Sequence, residues 1–245
     1  APNGGGRTTR DHPRVPVTAM TLAETAGACQ AAGATSIHVH VRDGQERHSL
    51  DAGRYREATA AIAETAPGLG IQITTESAGV FHAADQLACL TDLQPKAASI
   101  AIREMATDPT VATAVYAFAE EAEIEVQHIT YGPSCLQQMQ AWREAGVIRP
   151  SQNRVLFVLG QYAPPKDAVP GDLESFVSTL GRGDWKRSVC AFGGEEHSCL
   201  QAAVSLGFGA RIGFENSICD RNGVQHRDNA ASIGSFLRAS VSGTV

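Results

Sequence analysis

The chain has 245 residues, 43% of them hydrophobic and 19% charged, with a formal net charge of −6. This balance fits an ordinary globular core and excludes a disordered chain; with no long run of one sign, it gives no footing for nucleic acid or an anionic membrane surface. No apolar run approaches a membrane span, no signal peptide opens the chain, and the cysteines (Cys29, Cys89, Cys135, Cys190, Cys199, Cys219) form no Cys-x-x-Cys pair, so a soluble cytoplasmic protein is expected.

In chain order, residues 1–6 read as a loop, the end of a strand whose body is short or absent. A helix follows, capped by Thr18 or Thr21 and stopped at Gly33, with Leu22, Ala26, Cys29 and Ala32 near helical spacing. Residues 36–43 form a strand that ends in Arg42-Asp43, with a turn at Asp43-Gly44. A second helix runs through Tyr55, Ala58 and Ile62. Further strands are predicted at 71–74, 97–102, 123–129, 154–160, 187–192 and 210–214, and further helices at 84–93, 108–121, 133–145, 172–180, 195–206 and 228–239. This strict alternation implies a parallel sheet with right-handed crossovers. Eight repeats in a chain of this length match an α/β fold of the (β/α)8 TIM-barrel type, a single domain over 1–245 whose first strand is clipped. A doubly wound open sheet is the alternative, but no Gly-x-Gly-x-x-Gly follows a strand.

Residues two apart on a strand share a face, so His38 and His40 present two imidazoles side by side while Ile37, Val39 and Val41 face helices. Such a pair begins a divalent metal site, zinc above all; the competing reading is two hydrogen-bonded histidines. Polar residues collect at the strand ends: Asn3, Arg42, Thr75-Glu76-Ser77, Arg103-Glu104, Gln127-His128, Gln161, Arg211 and Glu215-Asn216. In a (β/α)8 barrel those ends form the active-site face. A catalytic zinc needs a third protein ligand. Glu76, Glu215 and His128 are the candidates, and Glu215 leads because it ends the eighth strand; spacing alone does not decide.

Several stretches are similar to the beta-keto acid cleavage enzyme family: Asn3-Gly4, Asp11-His12-Pro13, Pro16-Val17-Thr18, Ala32-Gly33-Ala34, the run from His38 to Asp43, Ser49-Leu50-Asp51, Ser99-Ile100-Ala101, Phe157 to Gly160, and Ala210 to Asn216. The resemblance spans nearly the whole chain. It implies a zinc-dependent (β/α)8 barrel that cleaves a β-keto acid with acetyl-CoA, giving acetoacetate and an acyl-CoA. It implies His38, His40 and Glu215 as zinc ligands, Arg211 in the catalytic apparatus, and a homo-oligomer, a tetramer or larger. Zinc would polarise the β-keto carbonyl, and Arg211 suits a carboxylate or an oxyanion. Thr75 and Ser77 can orient the substrate or the base. Gly193-Gly194, at the start of a helix, can admit a phosphate of CoA.

One departure matters. Family members often carry an acid directly after the metal-binding glutamate, and here that position is Asn216. Glu76 is therefore expected to supply the carboxylate that Asn216 lacks, as general base; alternatively it pairs with Arg103 or Arg211. Two rival functions stay open. One is a metal-dependent hydrolase of the amidohydrolase type, with His128 as its fifth-strand histidine, although the sixth strand has none. The other is a metal-binding barrel that has lost catalysis. The far end of the keto acid would be read by the loops that hold Glu104, His128 and residues 161–165.

Overall fold

The protein is described from a computed structural model covering residues 1–161 and 164–242. Tyr162 and Ala163, in the expected 161–165 reading loop, lie outside the described residues. Helix α1 (Ala19–Ala31) starts where Thr18 Oγ1 accepts from the Thr21 amide and Thr21 Oγ1 from the Thr18 amide, at 3.2 and 3.0 Å. This reciprocal cap satisfies amides that a helix start leaves unpaired. The chain continues through β1 (Ser36–Val39), a small antiparallel hairpin of β2 (Val41–Arg42) and β3 (His48–Ser49), α2 (Ala52–Thr65) and β4 (Gly70–Thr74). Then come α3 (Ala83–Leu93), β5 (Ala97–Ala101), the short α4 (Ile102–Met105), α5 (Pro109–Glu121), β6 (Glu125–Thr130), α6 (Pro133–Glu144) and β7 (Arg154–Leu159). A 3₁₀ turn (Pro170–Asp172), α7 (Leu173–Leu180), β8 (Lys186–Ala191), α8 (Glu196–Ser205), β9 (Gly209–Ala210) and α9 (Asn229–Ser242) complete it.

Seven strands form one curled parallel sheet in the order β1-β4-β5-β6-β7-β8-β9. Both faces are buried, which is why its strands read as apolar runs. In β7 the alternation is plain: Val155, Phe157 and Leu159 join the large core between sheet and helices, while Leu156 and Val158 join a smaller cluster with Ala101, Ile129, Cys190 and Phe192. Fully burying side chains such as Ile62, Leu90 and Leu136 contributes roughly 1.5–3 kcal/mol each.

Three local expectations are corrected. No eighth strand closes the sheet among the described residues. Instead residues 1–3 lie in the seam between β9 and β1: Ala1 N donates to Ile212 O at 2.8 Å, Glu215 N donates to Ala1 O at 3.1 Å, and the Asn3 amide donates to His40 O at 2.8 Å. The last strand stops at Ala210 and not at Phe214: Arg211 N still donates to Val189 O of β8 at 2.8 Å, but beyond it Gly213 N donates to Glu196 Oε1 and Phe214 N to Asn229 Oδ1, at 3.1 and 2.9 Å. Gly213 has φ 141, and a Cβ there would run into the Ala1 carbonyl, so this bend needs glycine. The first histidine strand ends at Val39, and the chain turns at His40 into the β2–β3 hairpin. Asp43 fixes that hairpin by accepting from the amides of Gln45 and Arg47, at 2.8 and 2.9 Å. No helix among the described residues is long and apolar enough to cross a membrane, and all the cysteines are free thiols.

Candidate metal centre and active-site cavity

β1, β4 and the bend after β9 converge on one point at the carboxyl ends of the strands. His38 and His40 are buried, and their Nε2 atoms lie 3.1 Å apart; Glu215 Oε1 stands 3.6 Å from His40 Nε2. These three donors lie within 4.8 Å of one another. Donors on a tetrahedral zinc are about 3.3 Å apart, given bonds of about 2.0–2.2 Å, so the set has the right size and chemistry.

The surroundings turn the imidazole nitrogens inward. His38 Nδ1 bonds Gln72 Oε1 at 2.8 Å, and Gln72 Nε2 donates onward to Gln127 Oε1 at 3.3 Å. Gln72 can therefore only accept from His38, which leaves the His38 Nε2 lone pair facing the centre. His40 Nδ1 faces Glu76 Oε2 at 3.5 Å, without a hydrogen bond between them, and its Nε2 is turned to the centre beside His38 Nε2. Two imidazole nitrogens and a carboxylate gathered at one buried point are a donor set that a cation would join. Burial first, then Arg211, holds the His38 imidazole well below its usual range, so it stays neutral. Burial works to raise the Glu215 carboxyl, but Arg211, then His40 and His38, outweigh it and hold it well below the usual carboxylate range.

Arg211 donates from Nη2 to Glu215 Oε2 at 2.6 Å, while its Nε and Nη1 are buried without a hydrogen-bond partner. Asn3 pins the other side: its Nδ2 donates to the carbonyls of Pro16 and His40, at 2.9 and 2.8 Å. Arg42, also buried, gathers the carbonyls of Gly5, Glu46 and Arg7 at 2.8, 2.9 and 2.8 Å, together with those of Asn3 and Gly4. It thereby holds the opening loop against the histidines.

His38, His40, Arg211 and Glu215 line a cavity of about 740 Å³, with Arg7, Glu76, Ser77, Arg103, Tyr131, Asn216 and the small apolar cluster of the sheet around it. Glu76 pairs with neither Arg103 nor Arg211; it faces His40. Its place depends on Gly5, where a Cβ would come within 2.6 Å of Glu76 Oε2. Thr75 points away, its hydroxyl donating to Ser99 O at 3.0 Å, and it is not part of the cavity wall. Ser77 is on the wall, but its amide and hydroxyl both bond Glu104, at 3.0 Å each, and Gln86 donates to Glu104 at 2.7 Å. Gly193 lies on the wall; its amide points to the Asn216 carbonyl at 3.4 Å, and a Cβ would strike the Asp167 carboxylate. Gly194 is packed on the backbone of Asp220 and Arg221 and is off the wall. His128 lies elsewhere, fully buried between Tyr116 and Trp185 with Nε2 on Gln152 O at 2.9 Å, so the hydrolase reading loses its fifth-strand histidine.

Residues 1–240 match the model of the beta-keto acid cleavage enzymes. The chain belongs to that family. The 3-oxoadipate:acetyl-CoA acetyltransferase of Cupriavidus necator is 29% identical over 226 residues, which cover 85% of this chain and 75% of that protein. The 3-keto-5-aminohexanoate cleavage enzyme of Fusobacterium nucleatum subsp. nucleatum is 25% identical over 248 residues, covering 96% of this chain and 87% of that one. Among solved structures, ObcA in binary complex with oxaloacetate shares the fold with TM-score 0.72 at 16% identity, over 94% of this chain; the chain spans 64% of ObcA's length.

In this beta-keto acid cleavage enzyme family member, sequence reading missed two groups around the centre and gave a third, Gln127, only as one of the strand-end polar residues. Gln72 is an ordinary strand amide in the sequence, and only the β1–β4 register, with His38 opposite Gln72, brings it behind His38. Glu196 is the other. It is buried, accepts from the Asn216 amide at 3.0 Å and the Gly213 amide at 3.1 Å, and burial pushes its carboxyl up to about 8. Asn216 is thus not simply a lost acid: its amide is held by an acid from α8.

Proposed function

We propose that the protein is a zinc-dependent beta-keto acid cleavage enzyme that exchanges acyl partners between a β-keto acid and acetyl-CoA. The products are acetoacetate and the acyl-CoA of the shortened substrate. The observation that carries this reading is the convergence of His38 Nε2, His40 Nε2 and Glu215 Oε1 beside two unspent donors of Arg211, in a chain of this family. His38, His40 and Glu215 would hold the zinc, which when bound supplies Lewis acidity for the β-keto oxygen.

The protein's own groups divide the remaining work. Arg211 Nε and Nη1 bind the carboxylate of the β-keto acid as a planar fork. Glu76, on the cavity wall with one oxygen turned to His40, takes a proton from the methylene between the keto and carboxylate groups of the β-keto acid. The resulting carbanion adds to the thioester carbonyl of acetyl-CoA and displaces the CoA thiolate; the thiolate adds to the keto carbon, and the bond from that carbon to the methylene breaks, leaving the shortened acyl-CoA and the acetoacetate enolate, which takes the proton back. Gln72 holds His38 in its tautomer. Ser77 keeps the Glu76 turn in place through Glu104. The curled seven-stranded parallel sheet with its helices supports a fold of the (β/α)8 type. A cytoplasmic homo-oligomer suits the family and the free thiols.

The test pairs metal analysis with product detection. The purified protein should contain about one zinc per chain and release acetoacetate from acetyl-CoA with some member of a β-keto acid panel. Bound zinc with no acetoacetate from any of them would overturn the reading in favour of a metal-binding barrel without this activity.

A further inference from the structure

The polar groups of the cavity come from two parts of the curled sheet. The first end is set by the edge strands: the histidines of β1 and, past β9, Arg211 and Glu215. Ala101, Ile129, Leu156, Val158, Cys190 and Phe192 add an apolar patch to the wall. The second end is set by middle strands: past the close of β5, Arg103 lies with its guanidinium carbon 3.4 Å from the centroid of the Tyr131 ring, which follows β6. Cations on this wall otherwise sit at the first end: Arg211 on Glu215, and Arg7 beside the Asn216 carbonyl at 3.5 Å.

Arg103 has no hydrogen bond and no ion pair among the described residues, although acids are close in sequence and in space. Glu104, its neighbour, is spent on Ser77 and Gln86; burial raises its carboxyl and those bonds only partly offset the rise. Glu76 faces His40. Asp11 accepts from Thr8 at 2.7 and 3.1 Å. Asp167 packs on Gly193 at the end of β8. A guanidinium flat on an aromatic face is held in orientation while its in-plane donors stay available. Those donors suit a carboxylate, which accepts two parallel bonds.

We propose that Arg103, oriented by Tyr131, is a specificity-determining residue, and that the preferred β-keto acid carries a second carboxylate at its far end. The inference rests on the cleavage reading for the first end of the substrate. Its short methylene spacer lies on the apolar patch, and its terminal carboxylate takes the fork of Arg103. A substrate ending in an ammonium group would meet a like charge there, and one ending in a methyl would gain nothing from the fork, which is exposed and keeps its water.

The test uses the zinc-loaded protein and three β-keto acids of equal length, ending in carboxylate, methyl or amine. A charge-assisted bidentate contact of about 2–3 kcal/mol corresponds to roughly 30- to 150-fold in kcat/KM. The wild type is expected to prefer the carboxylate-ended acid by that factor. Arg103→Met should bring the carboxylate-to-methyl ratio close to one, through KM for the keto acid and not KM for acetyl-CoA, and Arg103→Lys should recover part of it. Calorimetric binding of glutarate against butyrate gives a readout independent of turnover, with Arg103→Met weakening glutarate alone. A wild-type preference for the methyl or amine end, or an Arg103→Met effect confined to KM for acetyl-CoA (a CoA phosphate contact), overturns the proposal. If no keto acid reacts, the cleavage reading fails by itself, and glutarate binding that is lost in Arg103→Met still upholds the anion site.

Discussion

The two ends of the cavity are built to opposite rules. Around His38, His40 and Glu215 the ligand groups themselves have a second hold: Gln72 and Gln127 behind one histidine, the Asn3 clamp behind the other, and Arg211 on the carboxylate, with Nε and Nη1 of that arginine still open. At the Arg103–Tyr131 end the acids are tied into the wall and the guanidinium is left with its donors unspent. Rigid, doubly held groups lower the reorganisation cost of chemistry. Arg103 is exposed, so its unspent donors hold water until a ligand with matching acceptors replaces it. The difference separates where the bond is broken from where the substrate is chosen.

That division can be attacked at its strongest point first. Glu215→Gln or His38→Ala should lower metal content, read by atomic emission, from about one per chain to a small fraction of that, and cut turnover by about 10³-fold or more. Retained zinc in both variants would mean that the metal lies elsewhere. Glu76→Gln tests the next layer. Loss of the base should reduce kcat by about 10²–10⁴-fold with zinc retained, and near-normal turnover would remove Glu76 from the chemistry. Gln72→Ala should weaken metal affinity by about 10–100-fold, as measured by chelator competition, because it frees the His38 tautomer.

The smallest expected effect is a pH dependence. The Glu196 carboxyl is raised from 4.5 to about 8 by burial. The folded protein thus binds a proton that the unfolded chain gives up above pH 4.5, so stability is full below that value and falls as pH rises towards 8. Thermal unfolding temperatures should decline over this window in wild type and flatten in Glu196→Gln. An equal slope in both would assign the effect to other groups.

Much of this was legible in the sequence, for physical reasons that differ by element. The strand–helix alternation shows because strands buried on both faces leave apolar runs. His38 and His40 show because a period of two places both on one face. The truncation of the last strand after Ala210 was hidden, since beyond Arg211 the amides of Gly213 and Phe214 go to Glu196 and Asn229 across long sequence separations. Gln72 was hidden for the same reason, and so was the part played by Gln127, which the sequence shows only as a strand-end amide: strand register, not local pattern, sets both behind His38. Thr75 looked like part of the site by its neighbours, but the alternation that turns Thr74 to the cavity turns Thr75 to Ser99.

Gly5 has a consequence for how this site can be re-engineered. A Cβ at residue 5 would stand 2.6 Å from Glu76 Oε2, which in turn faces His40. The two positions share one volume: any larger residue at position 5 requires the glutamate tip to swing out of its pose against the histidine, so a change in the opening loop reaches the base without touching it in sequence.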